Sequence, residues 1–390
     1  MIQRNYRNIF FISLSQFGMA FAFNFVMVFI PFLIHNISPY SPQKTLIWVG
    51  LIMGSTSFVA AIASTFWGSL TSHFSPKLLF MMGLLSHGIL ILLMAFFTSL
   101  PVFLTLRILQ GVLGGISTVG FIIVSSSSSK EYASRDTGMF NNSLTFGQLV
   151  GPPVGALAAS ALGYKGAFII GSVFIFLTLV FCFLYVVEVP HKTIKRNTFR
   201  KHTVNKKTLL GWGLCFTTTI QLMFLPSVLP NVFDGFNIEH SLALKWAGLV
   251  IMLYTATAVV GTHFLCKLAT RIGTSRLIIS LASLGILCQS LLSLSPGVIS
   301  FIIIRMLQTA MIAAILPLVF SIFLSDLDGK VIGFLNSARF LGNALGPMTA
   351  TAILAFSSFS WLYLSVSIMS LLAMLVFVFF FDHTEDRDPQ

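Results

Sequence analysis

Charge is what this chain has least of. Asp, Glu, Lys and Arg make up 9% of its 390 residues, against about 25% in a soluble domain. Acids are the scarcer sign, eleven against 23 Lys and Arg. All eleven fall between the long apolar runs or at their ends: Glu131, Asp136, Glu188, Asp234, Glu239, Asp326, Asp328, Asp382, Glu385, Asp386 and Asp388. Catalysis within a bilayer needs converging nucleophiles, bases or metal ligands, and no pair of embedded carboxylates is present to supply them. Asp326-Leu-Asp328 reads as helix capping. Cysteine is scarce too. Cys182, Cys215, Cys266 and Cys288 lie within apolar runs or at their ends, with neither metal spacing nor a disulfide framework, and read as small core residues. No metal, cofactor or enzymatic activity is expected.

Apolar residues, by contrast, reach 56%, with a mean hydropathy of +0.92. A soluble fold of this length could not hide so much apolar surface; a bilayer can. A crossing needs about 20 apolar residues as helix, and only helices and closed barrels satisfy the backbone in lipid. Barrel strands would alternate polar and apolar, whereas these runs are continuously apolar. Twelve runs are predicted, at 9–34, 46–70, 78–98, 101–125, 138–162, 166–188, 208–233, 243–266, 276–295, 298–324, 331–356 and 358–381. The first is too long for a signal peptide's apolar region and lacks a small-residue cleavage site, so it is expected to remain as a span. The expected fold class is an all-α integral membrane protein, twelve transmembrane helices in two pseudo-symmetric six-helix bundles.

A net charge of +12 raises the question of nucleic acid, which the distribution answers against. With both termini inside, the inner loops hold seventeen Lys and Arg: Arg4, Arg7, Lys77, Lys130, Arg135, seven in 191–207, Lys267, Arg271, Arg276, Lys330 and Arg387. The outer loops hold only Lys44, Lys165 and Lys245. That is the positive-inside bias, and it predicts cytoplasmic termini. The polar, basic stretch 191–207 is expected to link a bundle at 1–190 to a second at 208–390. Other connections are short, leaving no room for an appended soluble domain.

The halves repeat. Arg107-Ile-Leu-Gln110 in the fourth run returns as Arg305-Met-Leu-Gln308 in the tenth. Gly147-x-x-x-Gly151-Pro152 in the fifth returns as Gly342-x-x-x-Gly346-Pro347 in the eleventh, and Pro31 is matched to Pro230. Parallel repeats about an axis along the membrane normal are the plan of one large class of transporters. Three strings carry more. Between runs two and three stands Gly68-Ser-Leu70-Thr-Ser72-His73-Phe74-Ser75-Pro76-Lys77. Arg107-x-x-Gln110-Gly111-x-x-Gly114-Gly115 puts a guanidinium six residues beyond Pro101, about 9 Å along a helix. Such a charge is costly in hydrocarbon and normally faces a cavity or a partner; a clamp on backbone carbonyls is the other reading. The fifth run carries Gly147-Gln-Leu-Val-Gly151-Pro152-Pro153-Val154-Gly155-Ala156. Its glycines four apart let another backbone approach, and its prolines bend the helix.

With these strings the chain resembles the major facilitator superfamily over nearly its whole length, and within it the twelve-helix drug:proton antiporters. The resemblance implies that Arg107 is tied to proton coupling and that the Gly147–Ala156 string, which ends Gly-Gly in the family, accompanies export. It also implies an aspartate where this chain has Ser72, an acid that helps latch the family's outward-facing state. The second copy of that loop, Cys266-Lys-Leu268-Ala-Thr270-Arg271-Ile-Gly273, lacks it too.

Many multidrug antiporters place an acid in the first helix or a neighbour, and here the midpoint of the first offers Asn24. Arg107, Arg305 and Arg339 are expected to be buried, so the interior reads as neutral to positive, favouring neutral or anionic cargo. His87, mid-run, titrates near neutral pH and reads either as a proton carrier or as a hydrogen-bonded core residue. Ser15, Asn24, Asn141, Asn142, Gln148, Gln221, Tyr254, Asn336 and Asn343 are the polar positions available to line a cavity. The expected activity is alternating-access export of small organic molecules in exchange for protons. The alternatives are export of an endogenous anion such as a carboxylate siderophore, and import or facilitation on the same fold. The expected partners are the lipid bilayer, a small-molecule substrate and protons, with no nucleic acid; the chain is expected to be a monomer in a bacterial inner membrane.

Overall fold

A computed structural model describes residues 5–129, 131–189, 206–323 and 329–380. Most of the basic linker, the Asp326-Leu-Asp328 segment and the four acids at 382–388 lie outside these residues. Among the described residues all regular structure is helical. We number the spans α1 (Tyr6–Ile37), α2 (Pro42–Leu70), α3 (Pro76–Met94) and α4 (Leu100–Ser127). Ala133–Tyr185 runs through α5 and α6, divided at Gly163. Next come α7 (Lys206–Met223 with Leu225–Gly235), α8 (His240–Leu265) and α9 (Thr274–Leu291). The last are α10 (Val298–Ile322), α11 (Gly329–Phe356) and α12 (Phe359–Phe380).

Nine described helices are long and apolar enough to cross a membrane, and the bent α7 pair is a tenth. The 53-residue Ala133–Tyr185 supplies two spans, and α11 completes the twelve. The fifth and sixth runs join in one helical stretch because Gly163 reverses the chain at φ 72° and ψ 170°, a left-handed backbone that glycine adopts without penalty. Large apolar side chains such as Phe183, Leu184, Phe356 and Phe379 stand on the outside, which in lipid is a matched surface.

Proline accounts for the breaks in α1, α7 and α10. Pro31, Pro226 and Pro317 cannot donate to the carbonyls of Met27, Leu222 and Ala313 four residues earlier, and each helix breaks within that turn, at 28–29, at 224 and at 314. α7 bends there by 41°. α4 breaks instead at Gly114-Gly115, and the Trp67 indole donates to Val112 O at 2.7 Å, a carbonyl whose helical partner the break removes. The breaks also correct the matching of prolines. The counterpart of Pro31 is Pro226, second in its helical segment as Pro31 is, rather than Pro230, which sits inside a helix. The Pro31–Pro226 spacing is the 195 residues that separate Gly147 from Gly342.

The described residues form two compact units. One comprises those up to Pro39, Ser55–Phe199 and His240–Leu249; the other comprises Tyr40–Gly54, Arg200–Glu239 and those from Val250 onward. Within the first, α5 lies backbone to backbone on α1, and Gly248 sits so close that a Cβ would fall 2.9 Å from Pro152 O. Within the second, a Cβ on Gly50 would fall 3.1 Å from Met348 Cα of α11.

Candidate functional site

The two repeated Arg–Gln pairs build two related groups, one in each unit. Arg107 is 1% exposed and Arg305 is fully buried, and each is anchored by the glutamine one turn later on its own helix. Arg107 Nη1 donates to Gln110 Oε1 at 2.6 Å. Its Nη2 reaches Met27 Sδ at 2.7 Å, in the broken turn of α1, and its carbon lies 5.3 Å from the centre of the Phe23 ring. Thr56 donates to the Arg107 carbonyl at 3.0 Å.

Arg305 shows the same plan more fully. Its Nη1 donates to Gln308 Oε1 at 2.8 Å and to the Gln221 carbonyl at 2.8 Å. Its Nη2 donates to the Leu222 carbonyl at 2.9 Å. Leu222 O is the acceptor that Pro226 leaves without a backbone donor, so the guanidinium takes the place of the missing N–H. A buried carbonyl without a partner is costly, and a charged donor makes the stronger hydrogen bond. The Phe224 and Tyr254 rings lie 5.0 and 4.9 Å from the guanidinium carbon, within cation–π range. Gln308 Nε2 in turn donates to Gln289 Oε1 and, at 3.3 Å, to Gln221 Oε1. Gln289 of α9 was not among the sequence candidates. It carries no motif, and only the packing of α9 on α10 brings it to Gln308.

The remaining candidates divide. The fifth-span glycines form one contact: a Cβ on Gly147 would fall 2.7 Å from Phe21 N, one on Gly151 2.7 Å from Phe21 O, and one on Gly155 would overlap Phe25 O. Gly342 and Gly346 face α7, against Thr219 and Met223, and Pro347 lies one position on. Asn24, half-buried, donates back to Ala20 O of its own helix at 2.8 Å. His87 is buried, and its Nδ1 lies 3.0 Å from the Gly83 carbonyl.

Gly68 and Leu70 close α2. Ser72 bonds locally, to Ser69 O at 2.7 Å and beside His73 Nδ1 at 2.9 Å. Lys77 Nζ donates to Phe183 O at 2.8 Å, where a cation meets the open carbonyls and negative end of α6.

Arg339 differs from Arg107 and Arg305: its side chain is solvent-accessible, although protein surrounds it closely enough to desolvate its charge. Residues 335, 338, 342 and 346 form the packed stripe of α11, and Arg339 falls beside that stripe, on a face shared with Asn336 and Asn343. Asp136 is the converse. An acid placed by sequence at a helix end, it is fully buried in the first turn of α5 and accepts from Ser128 Oγ at 2.6 Å.

Among the described residues, twelve helical spans, with a repeated, buried Arg–Gln group packed against a proline-broken helix in each unit, define a polytopic membrane transporter. A sequence profile of the Major Facilitator Superfamily matches residues 12–244 and again 210–390, and the chain belongs to that superfamily. Among its relatives is the multidrug resistance protein MdtG of Yersinia enterocolitica serotype O:8 / biotype 1B, 26% identical over 363 residues, 90% of this chain and 87% of that protein. MdtG of Serratia proteamaculans (strain 568) is 27% identical over 360 residues, again 90% and 87%. Solved structures share the fold. A bacterial homolog of the human lysosomal transporter Spinster superposes with a TM-score of 0.77 at 13% identity, covering 97% of each chain. A D-xylose-proton symporter gives 0.75 at 15% identity, covering 96% of this chain and 97% of its own.

Proposed function

We propose that this transporter exports small organic molecules by alternating access, in exchange for protons, as a monomer in a bacterial inner membrane with both termini in the cytoplasm. The observation that carries the reading is the fifth-span signature: Gly147, Gly151 and Gly155, followed or flanked by prolines, form a backbone-on-backbone seam with α1, as export-type members of the superfamily are expected to do. The full-length likeness to proteins named for multidrug resistance supports it, as do the seventeen-to-three bias of basic residues and the basic linker between halves 1–190 and 208–390. In this reading Arg107 with Gln110 couples proton counter-flow, and Arg305 with Gln308 holds the matching position in the second half. Gly342, Gly346 and Pro347 repeat the seam on α11, and Asn24, Asn336, Arg339 and Asn343 are polar positions offered to cargo.

The cargo is neutral or anionic. Arg107 and Arg305 are buried, and the one fully buried acid described, Asp136, is already engaged. A cation would meet like charge. Cells producing the protein should therefore accumulate less of an anionic dye than control cells, with no change for ethidium, and a protonophore should abolish the difference. Selective loss of ethidium would refute the cargo class, and efflux that survives the protonophore would refute antiport.

His87 is assigned to packing in this scheme, since it is buried and bound back to its own helix at Gly83 O. His87→Asn should leave the midpoint of the transport pH profile within about 0.3 pH units of wild type, whereas a shift of a unit or more, about 1.4 kcal/mol of altered proton affinity, would make it the proton carrier.

A further inference from the structure

α1 and α5 line an open cavity of about 710 Å³ within the first unit, separate from the Arg–Gln groups. Its α5 wall is Arg135, Gly138, Met139, Asn142, Ser143 and Phe146, recurring at three- and four-residue spacing, and its α1 wall is Leu14 and Phe17. From Arg135 to Phe146 is eleven residue steps, about 16 Å of helix. One end is cationic. The other carries Phe17 and Phe146, whose ring centres stand 5.7 Å apart. Between them Asn142 offers an amide, while the Ser143 hydroxyl is bound to Met139 O at 3.1 Å.

Among the described residues no acid lines the cavity. Asp136 adjoins Arg135 in sequence but is buried on Ser128, and Glu131 is exposed and outside the lining. Gly138 faces open space: a Cβ built there meets nothing within 4 Å.

We propose that this cavity is a binding subsite for an amphiphilic anion, a carboxylate or phosphate held by Arg135 and Asn142 with its apolar body along Leu14, Phe17, Met139 and Phe146. A guanidinium offers paired donors matched to such oxyanions, and the gradient from charge to phenylalanine fixes which way the molecule lies. The proposal deepens the export reading by naming a cargo class, and rests on it for the statement that cargo loads here from the cytoplasmic end.

The test is equilibrium binding of dansylundecanoate to the full chain in phosphatidylcholine nanodiscs. Wild type should bind saturably and prefer this probe over a dansyl-labelled alkylamine of equal length. Gly138→Phe, which sets a ring on the cavity wall, and Arg135→Gln should each weaken binding about tenfold or more, roughly 1.4 kcal/mol, while Arg135→Lys, which keeps the charge but not the paired donors, should lose less than Arg135→Gln. Melting curves matching wild type establish that the variants are folded.

Unchanged affinity in both Gly138→Phe and Arg135→Gln overturns the proposal, as does equal binding of the alkylamine. Adding phosphatidylglycerol identifies the source of the ligand: displacement of the probe assigns the subsite to the membrane's own anionic lipid, and no displacement assigns it to a free anion. Binding without efflux would refute export and leave the subsite, and efflux unchanged by loss of binding would do the reverse.

Discussion

Arg305→Ala should destabilise the protein by about 3 kcal/mol and abolish transport. The guanidinium holds two backbone carbonyls and Gln308. Bonds to charged donors are worth about 1.5–3 kcal/mol each in soluble proteins, but polar pairs within membranes average nearer 0.6, so the total falls well below a simple sum. Arg305→Lys should rescue little, because a single ammonium on a flexible stem cannot reproduce a planar fork. The decisive partner is Pro226. Pro226→Ala returns an N–H to Leu222 O, so Arg305→Ala combined with Pro226→Ala should lose less stability than the two single changes added together. Thermal melts of the four proteins in detergent, read as a double-mutant cycle, measure this. Strict additivity would mean that Arg305 does not stand in for the missing backbone donor.

Gly155→Leu should be as damaging by a different route. A Cβ there overlaps the Phe25 carbonyl oxygen, and further atoms would drive α5 off α1. Overpacking a close contact costs about 1–3 kcal/mol when side chains can yield; here the obstacle is backbone, so folded protein should fall below a tenth of wild type, measured as monodisperse yield on size exclusion. Gly213→Leu is the control, since a Cβ at Gly213 meets nothing within 4 Å, and should give near-wild-type yield.

The spans were legible because lipid demands continuous apolar helix, and that demand is written locally in composition. The glycine seam was legible for a similar reason, since spacing of four on a helix defines a face. What depended on packing was not. Pro230 and Pro226 look alike as letters four residues apart, and only the break at Phe224 shows which removes a needed donor. Gln289 belongs to the Arg305 group through the neighbouring helix, with no local mark. Arg339 sits in an apolar run like Arg107 and Arg305, but a shift of one position around α11 moved it from the packed stripe to the open face. Asp136 shows the opposite limit: a helix end is not always a surface.

Export in exchange for protons is tested most directly in everted vesicles loaded with this protein, by following an anionic substrate with and without an imposed pH gradient, for wild type and Arg107→Ala. Uptake into wild-type vesicles that requires an acidic interior, is lost on collapsing the gradient, and is reduced at least about tenfold, or 1.4 kcal/mol, in Arg107→Ala is the predicted result. Uptake indifferent to the gradient, or equal in the two proteins, would contradict it.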